Sequence, residues 1–257
     1  ADTSHNPPSE AFLNACDSIG IIVIDEAFDM WERPKNPQDY HRFFKTWWKR
    51  DLESMVLRDR NHPSVVFWSI GNEINERADT SGVRIAGQLV DAIRDLDSSR
   101  FFTGAVCWFW DHPELTWKES APAFRYLTVG GYNYQWRENE ADHKTFPERV
   151  IMSTESFPLE VAENWEQAVN YPWVIGDFVW TAMDYLGEAG IGHTQYLKEG
   201  EQDSFVMPWP WFNAWCGDLD ILGNPKPQMQ YKDVIWGNRA IGINVHAPVP
   251  EGKTEMV

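Results

Sequence analysis

Val65-Val66-Phe67-Trp68-Ser69-Ile70-Gly71-Asn72-Glu73 is an apolar run of strand length that breaks at a glycine and ends on a carboxylate. With no polar alternation, such a run reads as a strand buried on both faces, the mark of a parallel sheet covered by helices. The flanks agree. Upstream, Tyr40, Phe44, Trp47, Trp48, Leu52, Met55 and Val56 recur at helical spacing. Downstream, Val83, Ala86, Leu89, Val90, Ile93 and Leu96 do the same.

The strand–helix alternation extends in both directions. Phe12, Leu13, Cys16 and Ile19 mark a helix that Gly20 ends, and residues 21–24 form the strand after it. Further strands are expected over 101–106, 127–132, 150–153 and 174–179, with a short polar helix before 150. Val161, Trp165, Ala168 and Val169 make another helix face, and a last helix over 228–236 has Pro227 near its start and Gly237 past its end. These are six buried strands. An open doubly wound sheet accommodates six, but its glycine-rich dinucleotide fingerprint is missing. A closed barrel needs eight. The expected class is therefore α/β, a (β/α)8 TIM barrel over residues 1–238, incomplete because the first strand and most of the second are missing. Residues 239–257 change character, with an alternating stretch and then Pro248 and Pro250, and read as a linker or the start of a following β-sandwich.

A formal charge of −17 argues against nucleic acid or an anionic membrane as partner, since both are recognised by neutralising phosphates. No apolar run reaches the ~20 residues that span a bilayer. The 15 Trp, 14 Phe and 8 Tyr suit a carbohydrate partner, because the apolar faces of sugar rings stack on aromatic rings, although most will fill the core. Cys16, Cys107 and Cys216 show neither a disulfide framework nor zinc spacing. There is no phosphate-binding loop, no HExxH and no GxSxG elbow, so neither a cofactor nor a metal is expected.

In α/β barrels the chemistry sits at the C-terminal ends of the strands. Two of these strands run into glutamates there, one into Glu73 and the other, through Thr154, into Glu155. Cleaving an acetal needs a proton for the leaving oxygen and a nucleophile for the anomeric carbon, and two carboxyls ~5–5.5 Å apart supply both in a retaining enzyme. Taken singly, either glutamate could be an ordinary solvated residue at a strand end.

Thr3-Ser4-His5-Asn6-Pro7-Pro8, Val23-Ile24-Asp25-Glu26, Asn61-His62-Pro63-Ser64-Val65 and Trp68-Ser69-Ile70-Gly71-Asn72-Glu73 resemble glycoside hydrolase family 2, most closely its β-galactosidase-like members. Gly131-Tyr132-Asn133-Tyr134, Thr154-Glu155-Ser156 and Phe178-Val179-Trp180 extend the resemblance in the same order. It implies that Glu73 is the acid/base, that Asn72 binds the sugar 2-hydroxyl, that Glu155 is the nucleophile and that Tyr134 positions it. It further implies that His5 and Trp180 line the subsite of the terminal sugar, with Asp25 and Glu26 near the barrel mouth. Each side chain has a plainer role open to it: Tyr134 in the core, Trp180 beneath the site, Asp25 and Glu26 in supporting ion pairs. The family pattern has an Arg where Asp2 stands, and sugar-binding and immunoglobulin-like domains ahead of the barrel. The chain thus reads as a truncated fragment whose open sheet edges would be covered by a second copy or a rearranged segment. The resemblance favours the periplasm or secretion over the cytoplasm.

The expected activity is that of a retaining exo-β-glycosidase acting on β-galactosides by double displacement. A β-glucuronidase and an inactive sugar-binding scaffold are the alternatives. Within the enzyme class, the acidic stretch after Trp180 favours a neutral sugar over a uronic acid.

Overall fold

The computed structural model of the chain describes residues 1–256. Two compact units are present, one made of Ala1–Ser156 and Glu166–Phe178, the other of Phe157–Trp165 and Val179–Val257.

The first unit is a partial α/β barrel. Helix α1 (Glu10–Ile19) starts at Ser9, whose hydroxyl accepts from the Phe12 amide, and stops at Gly20, whose φ of 82° a residue with a Cβ adopts only under strain. Then come β1 (Val23–Glu26), α2 (His41–Asp59), β2 (Val65–Asn72), α3 (Thr80–Arg94) and β3 (Phe101–Val106). After an eight-residue 3₁₀ stretch, Trp117–Phe124, the chain forms β4 (Gly130–Asn133), α4 (Asn139–Thr145), β5 (Ile151–Ser156), α5 (Val161–Asn170), whose first half counts with the second unit, and β6 (Val174–Val179), whose last residue does too. The six strands lie side by side in chain order, and β1 to β5 pair parallel.

Alternation along the strands divides the core. Val23, Trp68, Ile70 and Phe102 pack outward against Leu13, Leu52, Ile85 and Leu89 of the helices. Ile24, Phe67, Val129 and Met152 pack together on the opposite, inner face. Fully burying each such aliphatic or aromatic side chain contributes roughly 1.5–3 kcal/mol. Gly131 on β4 is required by close approach: a Cβ there would lie 2.6 Å from the Gly104 carbonyl oxygen and 2.8 Å from Thr154 Cγ2.

Two strands begin later than their apolar runs suggest. Ile21 and Ile22 precede the first paired residues, Val23 and Val65, and stay 38% and 55% exposed. Residues 127–129 lie outside β4, although the Val129 amide already reaches the Phe102 carbonyl at 3.1 Å. The 3₁₀ stretch went unforeseen because its signal is a local capping box, Thr116 with Glu119, and not a long periodicity.

The second unit holds α6 (Pro227–Ile235) and an antiparallel pair, β7 (Gln195–Leu197) with β8 (Thr254–Met256). Asp184 accepts from the Gly217 amide and Lys226 Nζ, both at 2.8 Å. His193 packs edge-on against Trp211 and Trp215. Among the described residues, no helix is long and apolar enough to cross a membrane.

Candidate active site

Where β2 ends, the chain turns through Glu73, whose φ of 44° lies in the left-handed region. Side chains other than glycine, Asn and Asp seldom go there, and such outliers gather at functional sites. The turn is pinned by the Glu73 amide, which donates to the Ala105 carbonyl at 2.8 Å, and by the Asn72 amide, which donates to Phe28 at 3.0 Å. The end of β4 behaves alike. Tyr134 has φ 59°, and its amide donates to the Glu155 carbonyl at 2.7 Å. Asn133 faces Glu155 in the β4–β5 register. Both glutamates therefore sit at strand C-termini.

Asn133 joins them. Its Nδ2 donates to Glu73 Oε1 at 3.0 Å and to Asn72 Oδ1 at 3.1 Å, while its Oδ1 accepts from Thr154 Oγ1 at 2.7 Å. Asn133, Thr154 and Asn72 are all buried, so this network is shielded from water. On the Glu155 side, the Tyr134 hydroxyl donates to Oε2 at 2.7 Å. The other oxygen, Oε1, is buried and has no hydrogen-bond partner among the described residues. Burying an unpaired carboxylate oxygen is unfavourable unless something else is meant to meet it. Burial, then the Glu73 charge, pushes Glu155 up to about 8; the Tyr134 hydrogen bond and the charge of His5 pull the other way. The protonated form of Glu155 is thus favoured up to about pH 8.

His5 closes one wall. Its Nδ1 lies 2.9 Å from Glu26 Oε1, and its Nε2 lies 3.3 Å from Asn72 Nδ2. Glu26 is held by the Ser69 hydroxyl at 2.7 Å and by its own amide, which donates to Thr3 Oγ1. Burial would lower His5, but the Glu26 hydrogen bond and the charges of Glu26, Glu155 and Asp29 outweigh it and raise His5 to about 9. Asp2, half-buried, is raised well above the usual carboxylate range by desolvation and by the charges of Glu26 and Glu155.

The structure brings Glu73, Glu155, Asn72, Tyr134, His5 and Glu26 together and sets Asp25 apart. Asp25 alternates with Glu26 on β1 and faces the helices, where burial and the Asp59 carboxyl of α2 raise its pKa. Asp59 in turn is gripped by Arg58 at 2.6 Å. Burial first, then the Asp59 hydrogen bond and charge, raises Asp25 to about 8. Trp180 belongs to the second unit, with its indole N–H donating to the Tyr185 hydroxyl at 3.3 Å. Sequence reasoning assigned no role to Asn133, Thr154, Ser69, Asp29 or Lys35. Asn133 lay within the quoted Gly131–Tyr134 motif; nothing local marked Asp29 or Lys35.

Residues 1–188 match the family model described as glycosyl hydrolases family 2, TIM barrel domain. The β-galactosidase BoGH2A of Bacteroides ovatus is 29% identical over 93% of this chain and 34% of its own length. A protein named putative β-glucuronidase from Formosa agariphila is 30% identical over 91% of this chain and 25% of its own. A crystal structure of a glycosyl hydrolase family 2 member from Bacteroides cellulosilyticus superposes with TM-score 0.81 at 42% identity, over 91% of this chain and 29% of that one. The chain thus spans about a third or less of the length of these relatives.

Proposed function

The chain belongs to glycosyl hydrolase family 2, and on that footing we propose that it carries the catalytic machinery of a retaining exo-β-glycosidase that releases terminal β-galactosyl units. The observation that carries this reading is the asymmetry around Glu155: one oxygen is fixed by the Tyr134 hydroxyl at 2.7 Å and the other is buried and unpaired. Such a carboxylate has one oxygen oriented and one left for an incoming carbon. Glu73, steadied by Asn133, delivers a proton to the glycosidic oxygen as that bond breaks, and Glu155 Oε1 bonds to the anomeric carbon. Water then attacks that carbon while Glu73 takes its proton, and the Glu155 ester bond breaks.

A neutral sugar suits the charges present. His5 and Lys35, the cations in this cluster, already face Glu26 and Asp29, at 2.9 and 2.6 Å. A glucuronide carboxylate would have to compete with those partners while adding a charge beside Glu155 and Glu26.

The test is hydrolysis of 4-nitrophenyl β-galactoside, β-glucoside and β-glucuronide by the full-length natural protein, with Glu73→Ala and Glu155→Ala beside it. The galactoside should be turned over fastest, with both variants losing ~10³-fold or more. Mass spectrometry after treatment with a 2-deoxy-2-fluoro galactoside should find the label on Glu155. Preference for the glucuronide would reassign the sugar; label on another residue would overturn the mechanism; binding without turnover would make the protein a lectin-like scaffold.

A further inference from the structure

Lys35 and Asp29 lie in the loop between β1 and α2, and together they hold both halves of Asn72. Lys35 Nζ donates to Asp29 Oδ1 at 2.6 Å and to the Asn72 main-chain carbonyl at 3.1 Å. The same Asp29 oxygen accepts from Asn72 Nδ2 at 3.2 Å. Asn72 is the residue before Glu73, at the point where β2 breaks into the left-handed turn. Lys35 is also close enough to share a neighbour with the acid/base: after burial, the Glu73 charge raises the Cys107 thiol, while Arg77 and Lys35 lower it.

The loop delivers this ammonium from a fixed base. The Lys35 and Asn36 amides donate to Asp39 Oδ2 at 2.8 and 2.6 Å, and the Trp31 indole donates to the Ile70 carbonyl at 2.9 Å. The Lys35 and Asp29 side chains are 22% and 30% exposed, and the desolvation of such a half-buried pair offsets much of its attraction. The pair's effect is orientational, because without it the peptide before Glu73 is held only through its amide, by the bond to Ala105.

We infer that Lys35, through Asp29 and the Asn72 carbonyl, is a positioning residue for Glu73 in its proton-donating role. This rests on Glu73 being the acid/base. A group that positions the acid matters in proportion to how much the leaving group needs a proton. Phenoxide needs one; 2,4-dinitrophenoxide leaves without.

The experiment compares kcat/KM for phenyl and 2,4-dinitrophenyl β-glycosides (galactoside, glucoside and glucuronide) in the full-length natural protein, Lys35→Met, Lys35→Arg and Glu73→Ala, after circular dichroism has verified folding. Lys35→Met should lose ~10–100-fold on the phenyl glycoside, since a displacement of about 1 Å has that effect, and at most ~3-fold on the dinitrophenyl one. Lys35→Arg should recover part of the loss. Equal losses on both substrates, or none, would overturn the assignment. If Lys35→Met does not fold, Asp29→Asn is read by the same ratio. A Glu73→Ala variant without this leaving-group dependence would overturn the acid/base reading itself, and absence of turnover of all three sugars by the wild type would overturn both.

Discussion

The Asn133 side chain donates from one nitrogen to Glu73 Oε1 and Asn72 Oδ1, and the next residue, Tyr134, donates through its hydroxyl to Glu155 Oε2. Two consecutive residues at the end of β4 thereby hold the two halves of the carboxyl pair, and the left-handed turn at Tyr134 lets neighbouring side chains reach different partners.

Tyr134→Phe removes the donor to Glu155 and leaves both of its oxygens without a side-chain hydrogen bond. A charge-assisted hydrogen bond of this kind is worth ~1.5–3 kcal/mol, so kcat should fall ~10–100-fold, with Glu155 moving further above its ordinary range. Steady-state kinetics with an activated aryl glycoside measure the first effect. A fall of less than 2-fold would remove Tyr134 from the mechanism.

Asn133→Ala strands two buried partners, Asn72 Oδ1 and the Thr154 hydroxyl, and the half-buried Glu73 Oε1. Unsatisfied buried polar groups cost ~1–3 kcal/mol each, softened where water enters. Chemical denaturation should show a loss of at least about 2 kcal/mol. Asn133→Asp, which keeps the shape but sets a third carboxylate beside Glu73, should lose more activity than stability.

The pH profile follows from the pair. Burial and the Glu73 charge put Glu155 at about 8. Below that pH the site keeps the Glu155 proton, which can pass by way of Glu73 to the leaving oxygen; above it that proton is gone. Hence kcat/KM should fall on the alkaline side with an apparent pKa near 8. Glycosides with leaving groups that need no proton should show a weaker alkaline fall. A flat profile to pH 10 would refute a catalytic role for that proton.

Asp25 makes a separate stability prediction. Its folded-state pKa of about 8 stands above its ordinary value of 3.8, so the fold favours the protonated form. Stability from this group is whole at pH below about 4 and declines as pH rises toward 8. Asp25→Asn sets a neutral amide beside Asp59 and abolishes the titration. The midpoint of thermal unfolding should rise by ~2–4 °C at pH 8 and stay within about 1 °C of wild type at pH 4. Equal shifts at both pH values would mean that packing, not charge, is responsible.

Much of this molecule is legible along the chain. The buried strands, the helices between them and the glutamates at two strand ends follow from periodicity and from where each apolar run stops, both properties of neighbouring residues. That Asp25 and Glu26 face opposite ways also follows from strand alternation. Which of them faces inward does not: it is decided by the pairing of Glu26 with Ser69, whose hydroxyl then meets the Glu26 carboxylate at 2.7 Å. Asn133 gains its partners through the β4–β5 register, and Lys35 reaches Asn72 across 37 positions of chain. The left-handed turns at Glu73 and Tyr134 occur in residues with no local preference for them, held by amides that bond across strands to Ala105 and Glu155. Local sequence sets which segments bury and where they end; hydrogen-bond partners, shifted pKa values and strained turns arise only when segments distant in the chain are brought into one register.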